Sequence, residues 1–377
     1  MIVCAALSIG LLAFTYVGYP IVIGLLARLF PAPPSPVQPT LAAMPLVTVC
    51  LPVFNGARFL PEKLASLLAQ DYPPDRIEIL IFCDGCTDDS EAIARRIAAS
   101  PEAAGRVRVL VEKNRAGKPA ALNVLCAEAR GELLLLNDVR QPFSQNAMRS
   151  LAAALENERV GCAAGNLVLR GEAGSGVYWR YENWIRRQES RFRGVVGMSG
   201  AIAMLRKADF TELPHDLILD DVYIPLRLAL RGRRVSLVTE AEAYDTAFED
   251  EQEFRRKVRT LAGNYQLFGL VPALLSPLKN PIWFETISHK LLRLLAPWLM
   301  VLLALVSIIG SVRGDSSTAE IMVMRVLLAG QLAFYGAAMI GRRSGRLGGV
   351  ARTFVVLNTA AVVGLYRYLA GRQRVTW

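Results

Sequence analysis

The lengths of the apolar runs constrain this chain more than any other feature of its sequence. Residues 1–30, MIVCAALSIGLLAFTYVGYPIVIGLLARLF, hold no acid and no base before Arg28. About 20 apolar residues suffice for a helix to cross the hydrocarbon core. Near the other end, LLAPWLMVLLALVSIIG and IMVMRVLLAGQLAFYGAAMIG are of similar length, and TFVVLNTAAVVGLY is shorter. In the middle the apolar runs shrink to strand length. Hydrophobic residues make up 53% of the 377, which is high for a chain that must dissolve.

The middle reads as a soluble domain. LVTVCLPVF, RIEILIFCD, RVRVLVE and ELLLLND are β-rich runs, separated by LPEKLASLLAQ, DDSEAIARRIAAS and GKPAALNVLCAEA, which have helical spacing. Strands alternating with helices predict βαβ units and a doubly wound, mainly parallel α/β sheet. The expected organisation is an N-terminal transmembrane anchor at 1–30, a Pro-rich linker at 31–45 and a cytosolic α/β domain at 46–270. An interfacial helix at 271–293, mixing aromatic and basic residues, then leads to two or three transmembrane helices at 294–377.

No basic residue precedes the first run and it is too long for a signal peptide. Arg28 on its far side predicts an outside N-terminus and a cytosolic domain at the inner (plasma) membrane. The cluster Arg342, Arg343, Arg346 is cytosolic in the same scheme. A third C-terminal span would put Arg372 and Arg374 outside, so the last segment is either a span or re-entrant. With few spans, nearly free of charge, a transporter is disfavoured.

The 43 Lys and Arg against 33 Asp and Glu give a net charge of +10. That balance suits anionic lipid, an anionic substrate or positive-inside topology. Nucleic acid is not expected, because aromatic RNA-binding motifs are absent. Cys83 and Cys86 form a CxxC without a second pair, and the two histidines, His215 and His289, are too few for a triad or a zinc centre.

Acids stand at the ends of the predicted strands and in the loops beyond them. Asp84 follows ILIFC, Asp138 follows LLLLN, and Asp220 and Asp221 form a pair in ILDDVYIPLRLALRG. Parallel sheets bind ligands at the carboxyl ends of their strands. Carboxylates gathered there need a metal, a substrate or basic partners.

In order along the chain, seven stretches resemble the motifs of membrane-bound family 2 glycosyltransferases of the GT-A fold, relatives of cellulose and hyaluronan synthases. They are VCLPVFNGARFLPEKLASLLAQDYP, FCDGCTDDS, NRAGKPAALN, LLLLNDVRQ, MSGAIAMLRK, ILDDVYIPLRLALRG and EFRRKVRTLAGNYQ. The similarity covers roughly residues 46 to 268.

The resemblance implies a sugar-nucleotide cleft in which Pro52, Val53, Phe54 and Asn55 wall the base and Asp84 accepts hydrogen bonds from base or ribose. Lys118, at a helix start, binds phosphate together with the helix amides. Arg256 and Arg259 grip the diphosphate, and Ser199 and Gly200 face the acceptor. Asp221 is the general base of an inverting transfer, with Asp220 as its positioning neighbour.

Asp138 occupies the first place of a DxD motif, but Arg140 stands where relatives carry the second acid. Two readings stay open: Asp138 and Gln141 hold Mg²⁺ or Mn²⁺, or the Arg140 guanidinium supplies the charge against the diphosphate. Thr260 replaces the Trp of processive members. That favours a lipid-linked or short glycan acceptor at the membrane over a processive polysaccharide synthase. An inactive, transferase-like membrane scaffold is the reading from another class. Residues 178–194, YWRYENWIRRQESRFRG, form either a helix on the lipid surface or a solvated cationic helix packed by its aromatics.

Overall fold

The structure, a computed structural model, describes residues 1–33, 44–103, 105–170, 177–246, 250–313, 317–341 and 345–373. Most of the Pro-rich linker, together with Arg342, Arg343, Arg374 and the side chain of Arg346, lies outside them.

The central runs form strands because they are apolar throughout and can be covered on both faces. β1 (Val47–Val53), β2 (Ile77–Asp84) and β4 (Leu133–Asn137) are buried at every residue. β3 (Val107–Glu112) carries charged residues, is partly exposed, and takes the edge. With β5 (Val160–Arg170), β6 (Ile202–Arg206) and β7 (Arg234–Thr246) they make one seven-stranded sheet in the order β3-β2-β1-β4-β6-β5-β7.

The expected doubly wound, mainly parallel sheet is present. β1 pairs in parallel with both β2 and β4, β2 with β3, and β5 with β7. β1 sits at the point where the strand order reverses, so the crevice for a ligand opens beyond its carboxyl end. β6 is the exception, antiparallel to β4 and β5. Its first residue, Ile202, pairs with Asn137, the last of β4. The residues just before β6 are therefore delivered to the edge where Asp138 emerges.

Two compact units divide the chain differently from the sequence boundaries. The sheet unit comprises Ile23–Ala247 and Pro272–Trp283. Its core is formed by β1, β2, β4 and the apolar faces of α3 (Leu60–Leu68), α4 (Ser90–Ala98) and α6 (Ala147–Leu155). α5 (Lys118–Glu128) and α8 (Asp220–Leu230) start at the carboxyl edge of the sheet. α7 (Val177–Phe192) lies against the end of the first apolar run. A Cβ on Gly24 would fall 2.9 Å from the Trp184 ring, and the Ala32 amide donates to the Arg191 carbonyl at 2.7 Å. Arg180, Trp184, Arg187 and Arg191 are exposed along one stripe of this helix.

The helical unit comprises Met1–Val22, Phe248–Val271 and Phe284–Gln373. It contains α1 (Ile2–Ala13), the start of α2 (Tyr19–Leu29), α9 (Asp250–Leu270), α11 (Leu292–Val312), α12 (Thr318–Ile340) and α13 (Gly345–Leu369). α9 and α13 touch backbone to backbone: a Cβ on Gly364 would sit 2.9 Å from the Ala262 amide.

Among the described residues four helices are long and apolar enough to span a membrane: Ile2–Leu29, Trp283–Val312, Thr318–Ile340 and Leu347–Leu369. The last of the four is longer than its apolar core suggested. The expected interfacial segment holds a short 3-10 helix at Pro272–Leu275, and its aromatic residues start the second span, through α10 (Trp283–Glu285) and a π-helical turn at Thr286–Leu291. Contrary to the expectation of nearly uncharged spans, this one buries Glu285 and His289.

Candidate active site

Of the acids expected at the sheet edge, Asp138, Asp220 and Asp221 gather around one ammonium group. Lys118 is the first residue of α5, after Gly117 at φ 93°. Its Nζ lies 2.8 Å from Asp138 Oδ1 and 3.0 Å from Asp220 Oδ2. Side-chain exposure grades the partners: 11% for Lys118, 9% for Asp220 and 39% for Asp138. Lys118 is thus not a solvated first-turn lysine. Burial alone would favour loss of its proton, but the carboxylates of Asp138, Asp220 and Asp221 outweigh it and raise its pKa above the usual lysine range.

Asp220 and Asp221 open α8, whose N-cap is Leu219, without a side-chain cap. Asp220 is therefore not a helix cap; its carboxylate goes to Lys118. Asp221, half-buried, presents its backbone carbonyl to the Met198 amide at 2.9 Å. That bond ties the loop before β6 to α8, and Gly200 sits in the middle of the cluster. A Cβ there would be 3.4 Å from Asp138 Oδ2, 3.6 Å from Lys118 Nζ and 3.8 Å from Asp221 Cβ. A larger side chain at 200 would fill the space over the charged groups. Ser199 accepts from the Ala201 amide at 3.3 Å, which holds the turn.

Arg140 and Gln141 turn away from this cluster toward Asp245 on β7. Arg140 Nη2 and Gln141 Nε2 donate to Asp245 Oδ2 at 2.7 and 2.8 Å. Gln141 Oε1 is buried, with no hydrogen-bond partner. The pairing of Asp138 with Gln141 as metal ligands finds no common site here. Among the described residues no group of three or more His, Cys, Asp or Glu is arranged to hold a metal ion.

Two members of this region escaped the sequence reading. Asp245 carried no signal, because its place depends on how β7 pairs. Lys63 did carry one: it stands on the apolar face of α3 with Leu60, Leu64 and Leu67. Fully buried, it donates to the Gln141 carbonyl at 2.7 Å and lies 3.4 Å from the Phe143 ring centroid. Burial drives its pKa well below the lysine range, against the opposing pull of Asp138.

At the end of β1 the expected base wall divides. Pro52 and Val53 are buried in the sheet and cannot line a cleft. Phe54 remains half-buried, with the Arg115 guanidinium 3.5 Å from its ring centroid, a cation–π arrangement. Asn55, at φ 48°, bonds Thr87 through both ends of its amide.

Asp84 departs from its expected role. It is fully buried, and its two oxygens accept the amides of Ala116 and Gly117 at 2.6 and 2.8 Å. It therefore fixes the loop that delivers Lys118, with no exposed oxygen for a base or ribose. Gly85 allows the close approach: at φ 62°, a Cβ would lie 2.8 Å from the Arg115 amide. Cys83 and Cys86 are free thiols. Hydrogen bonding from Cys83 chiefly lowers the Cys86 pKa, to about 7. Arg256 and Arg259 belong to α9 in the helical unit, where Arg256 pairs with Glu253 at 3.9 Å.

Residues 48–213 match the sequence family described as Glycosyl transferase family 2. Glycosyltransferase GlyG of Streptococcus pneumoniae is 28% identical over 134 residues, 36% of this chain and 43% of its own length. An N-acetylglucosaminyltransferase of Azorhizobium caulinodans is 26% identical over 269 residues, 66% of each chain. The chain thus spans between about two fifths and two thirds of these curated relatives. Among solved structures, the mannosyltransferase PcManGT from Pyrobaculum calidifontis, in complex with GDP-Man and Mn²⁺, superposes with a TM-score of 0.76. The match covers 98% of this chain and 99% of that one at 22% identity, a likeness of fold.

Proposed function

We propose that this chain, which carries a family 2 glycosyl transferase domain with the GT-A fold, moves a sugar from a nucleoside diphosphate donor to a membrane-associated acceptor, with inversion. The observation that carries the reading is the convergence of Asp138, Asp220, Asp221 and Gly200 on Lys118. Carboxylates alone would repel a diphosphate. A lysine kept protonated by three of them, at the positive end of a helix, provides the cation the donor needs.

In this mechanism Asp221 takes the proton from an acceptor hydroxyl as its oxygen attacks the anomeric carbon. The diphosphate leaves from the opposite face, and its new charge falls to Lys118 and the positive end of α5. Asp220 holds the ammonium in place. Gly200 leaves the space in which the sugar and the acceptor oxygen approach. Phe54 and Arg115 offer a flat, cationic surface for the base.

The Mn²⁺ of the mannosyltransferase complex raises the question of a metal here. Asp138, the most exposed acid of the Lys118 pairs, offers the hard oxygen that Mg²⁺ or Mn²⁺ favours. Gln141 does not fit, since its amide is committed to Asp245. Such an ion, held by Asp138, would offset diphosphate charge.

The apolar helices and the exposed arginine stripe of α7 support a bilayer setting with a lipid-linked or short glycan acceptor and a cytosolic domain. Thr260 in place of Trp disfavours processive synthesis. The test is transfer from radiolabelled UDP- and GDP-sugars by membranes containing the protein, with and without chelator. Asp221→Asn should lower turnover by about 10²-fold or more while nucleotide still binds. Full transfer by that variant removes Asp221 from the mechanism. A wild-type protein that binds nucleotide but neither transfers nor hydrolyses any donor is a scaffold.

A further inference from the structure

The charges that follow β4 fall into two separate sets. Lys118 holds Asp138 and Asp220, whereas Arg140, only two residues from Asp138, is held by Asp245. We propose that Asp245 is a positioning residue of the donor site, which keeps the Arg140 guanidinium off Asp138 so that Asp138 and Lys118 stay paired. This rests on the glycosyltransferase reading above and adds to it a residue that none of the motifs contains.

The backbone explains how Asp245 comes to be there. After Asp138 the chain runs antiparallel along β7: the Ser144 amide donates to the Glu242 carbonyl at 2.9 Å, and the Tyr244 amide to the Pro142 carbonyl at 2.9 Å. Phe143 and Ala243 form the bridge between them. That register carries Asp245 past Pro142 to the level of Gln141 and Arg140. Its carboxylate is only 3% exposed. Oδ2 takes both side-chain donors, and Oδ1 accepts the Thr246 amide at 2.8 Å.

An acid so deeply placed keeps its charge only with partners, and the pair is costly to split. Without the Asp245 charge, the Arg140 guanidinium has Asp138 as the acid nearest in sequence. A guanidinium fork binds a carboxylate in two places and competes well with an ammonium. Asp138 would then be drawn from Lys118, and the cation meant for the diphosphate would shift.

The prediction separates the two roles Asp245 can have. Asp245→Asn keeps the side-chain volume and removes the charge. It should raise the donor KM by roughly tenfold, the loss expected when one charge-assisted contact to the donor is displaced, with a smaller change in kcat. Arg140→Gln in the same chain removes the competitor, so the double variant should recover most of the lost donor affinity.

The measurements are donor KM and kcat for the full-length wild type, both single variants and the double variant in membranes. Binding of UDP and GDP and thermal unfolding of the four purified proteins complete the set. A merely structural Asp245 would lower the unfolding temperature in the single and double variants alike, with donor KM untouched or unrestored; either result overturns the proposal. If the wild type transfers sugar and Asp245→Asn matches it in donor KM, this proposal falls and the function stands. If the wild type neither transfers sugar nor binds either nucleotide, both fall.

Discussion

Replacing Lys118 by Met tests the centre of the site, because it removes the charge and keeps the length of the side chain. Lys118 and Asp220 are paired at 3.0 Å with side chains 11% and 9% exposed. Removing one partner of a buried pair costs about 3–5 kcal/mol. The contact with Asp138, 39% exposed, is screened by water and adds at most about 1 kcal/mol. The Met side chain returns about 1 kcal/mol of apolar burial, leaving a loss of about 3 kcal/mol. For a unit of this size that corresponds to a fall of about 6–12 °C in unfolding temperature.

The pH dependence has a definite sign. The folded-state pKa of Lys118 is raised, so its contribution is complete below the usual value of 10.5 and is lost as pH rises through the folded pKa. The gap between wild type and variant should therefore be constant between neutral pH and about 10, and close at higher pH. Differential scanning fluorimetry in detergent measures the gap, and titration with UDP or GDP measures the lost affinity. A variant that unfolds with the wild type and binds nucleotide equally well would refute the account of Lys118 as the hub.

Two further substitutions or treatments probe the loops that feed the site. Asp84→Asn should cost about 1–3 kcal/mol, because one amide hydrogen pair would then face the Ala116 or Gly117 N–H. Faster hydrogen exchange at residues 115–117 with a raised donor KM is the expected readout; unchanged exchange would show that Asp84 does not hold the loop. Cys86, with its pKa lowered to about 7, should be alkylated by iodoacetamide at a rate that climbs through neutral pH. Buried Cys162, pushed up to about 12 by desolvation, should stay unmodified over the same range, and equal labelling of the two by mass spectrometry would contradict the assignment.

Much of the site was legible in the sequence because strand ends announce themselves. An apolar run that stops at Asp138, or at Asp84, places a carboxylate at the sheet edge whatever the remaining packing. The NRAGKPAALN segment likewise announced a helix beginning at Lys118. What each carboxylate does there was less legible. Asp84 and Asp138 end neighbouring regions of the sheet in similar ways, yet one is consumed by backbone amides and the other stays half exposed. That difference comes from the loop after β3, which folds back onto Asp84 and leaves Asp138 to Lys118.

Pattern and run length by themselves determined the apolar terminal helices, the alternation that builds a mainly parallel sheet, and the acids and the lysine at its carboxyl edge. Those features depend on neighbours within one or two turns of chain, so local chemistry suffices. Tertiary structure alone decided that β6 runs backwards and puts Gly200 over Asp138, that Arg140 turns to Asp245, and that Lys63 is buried at Gln141. Each of these depends on the register between segments scores of residues apart, which is set only when the sheet closes and every buried charge must find a partner.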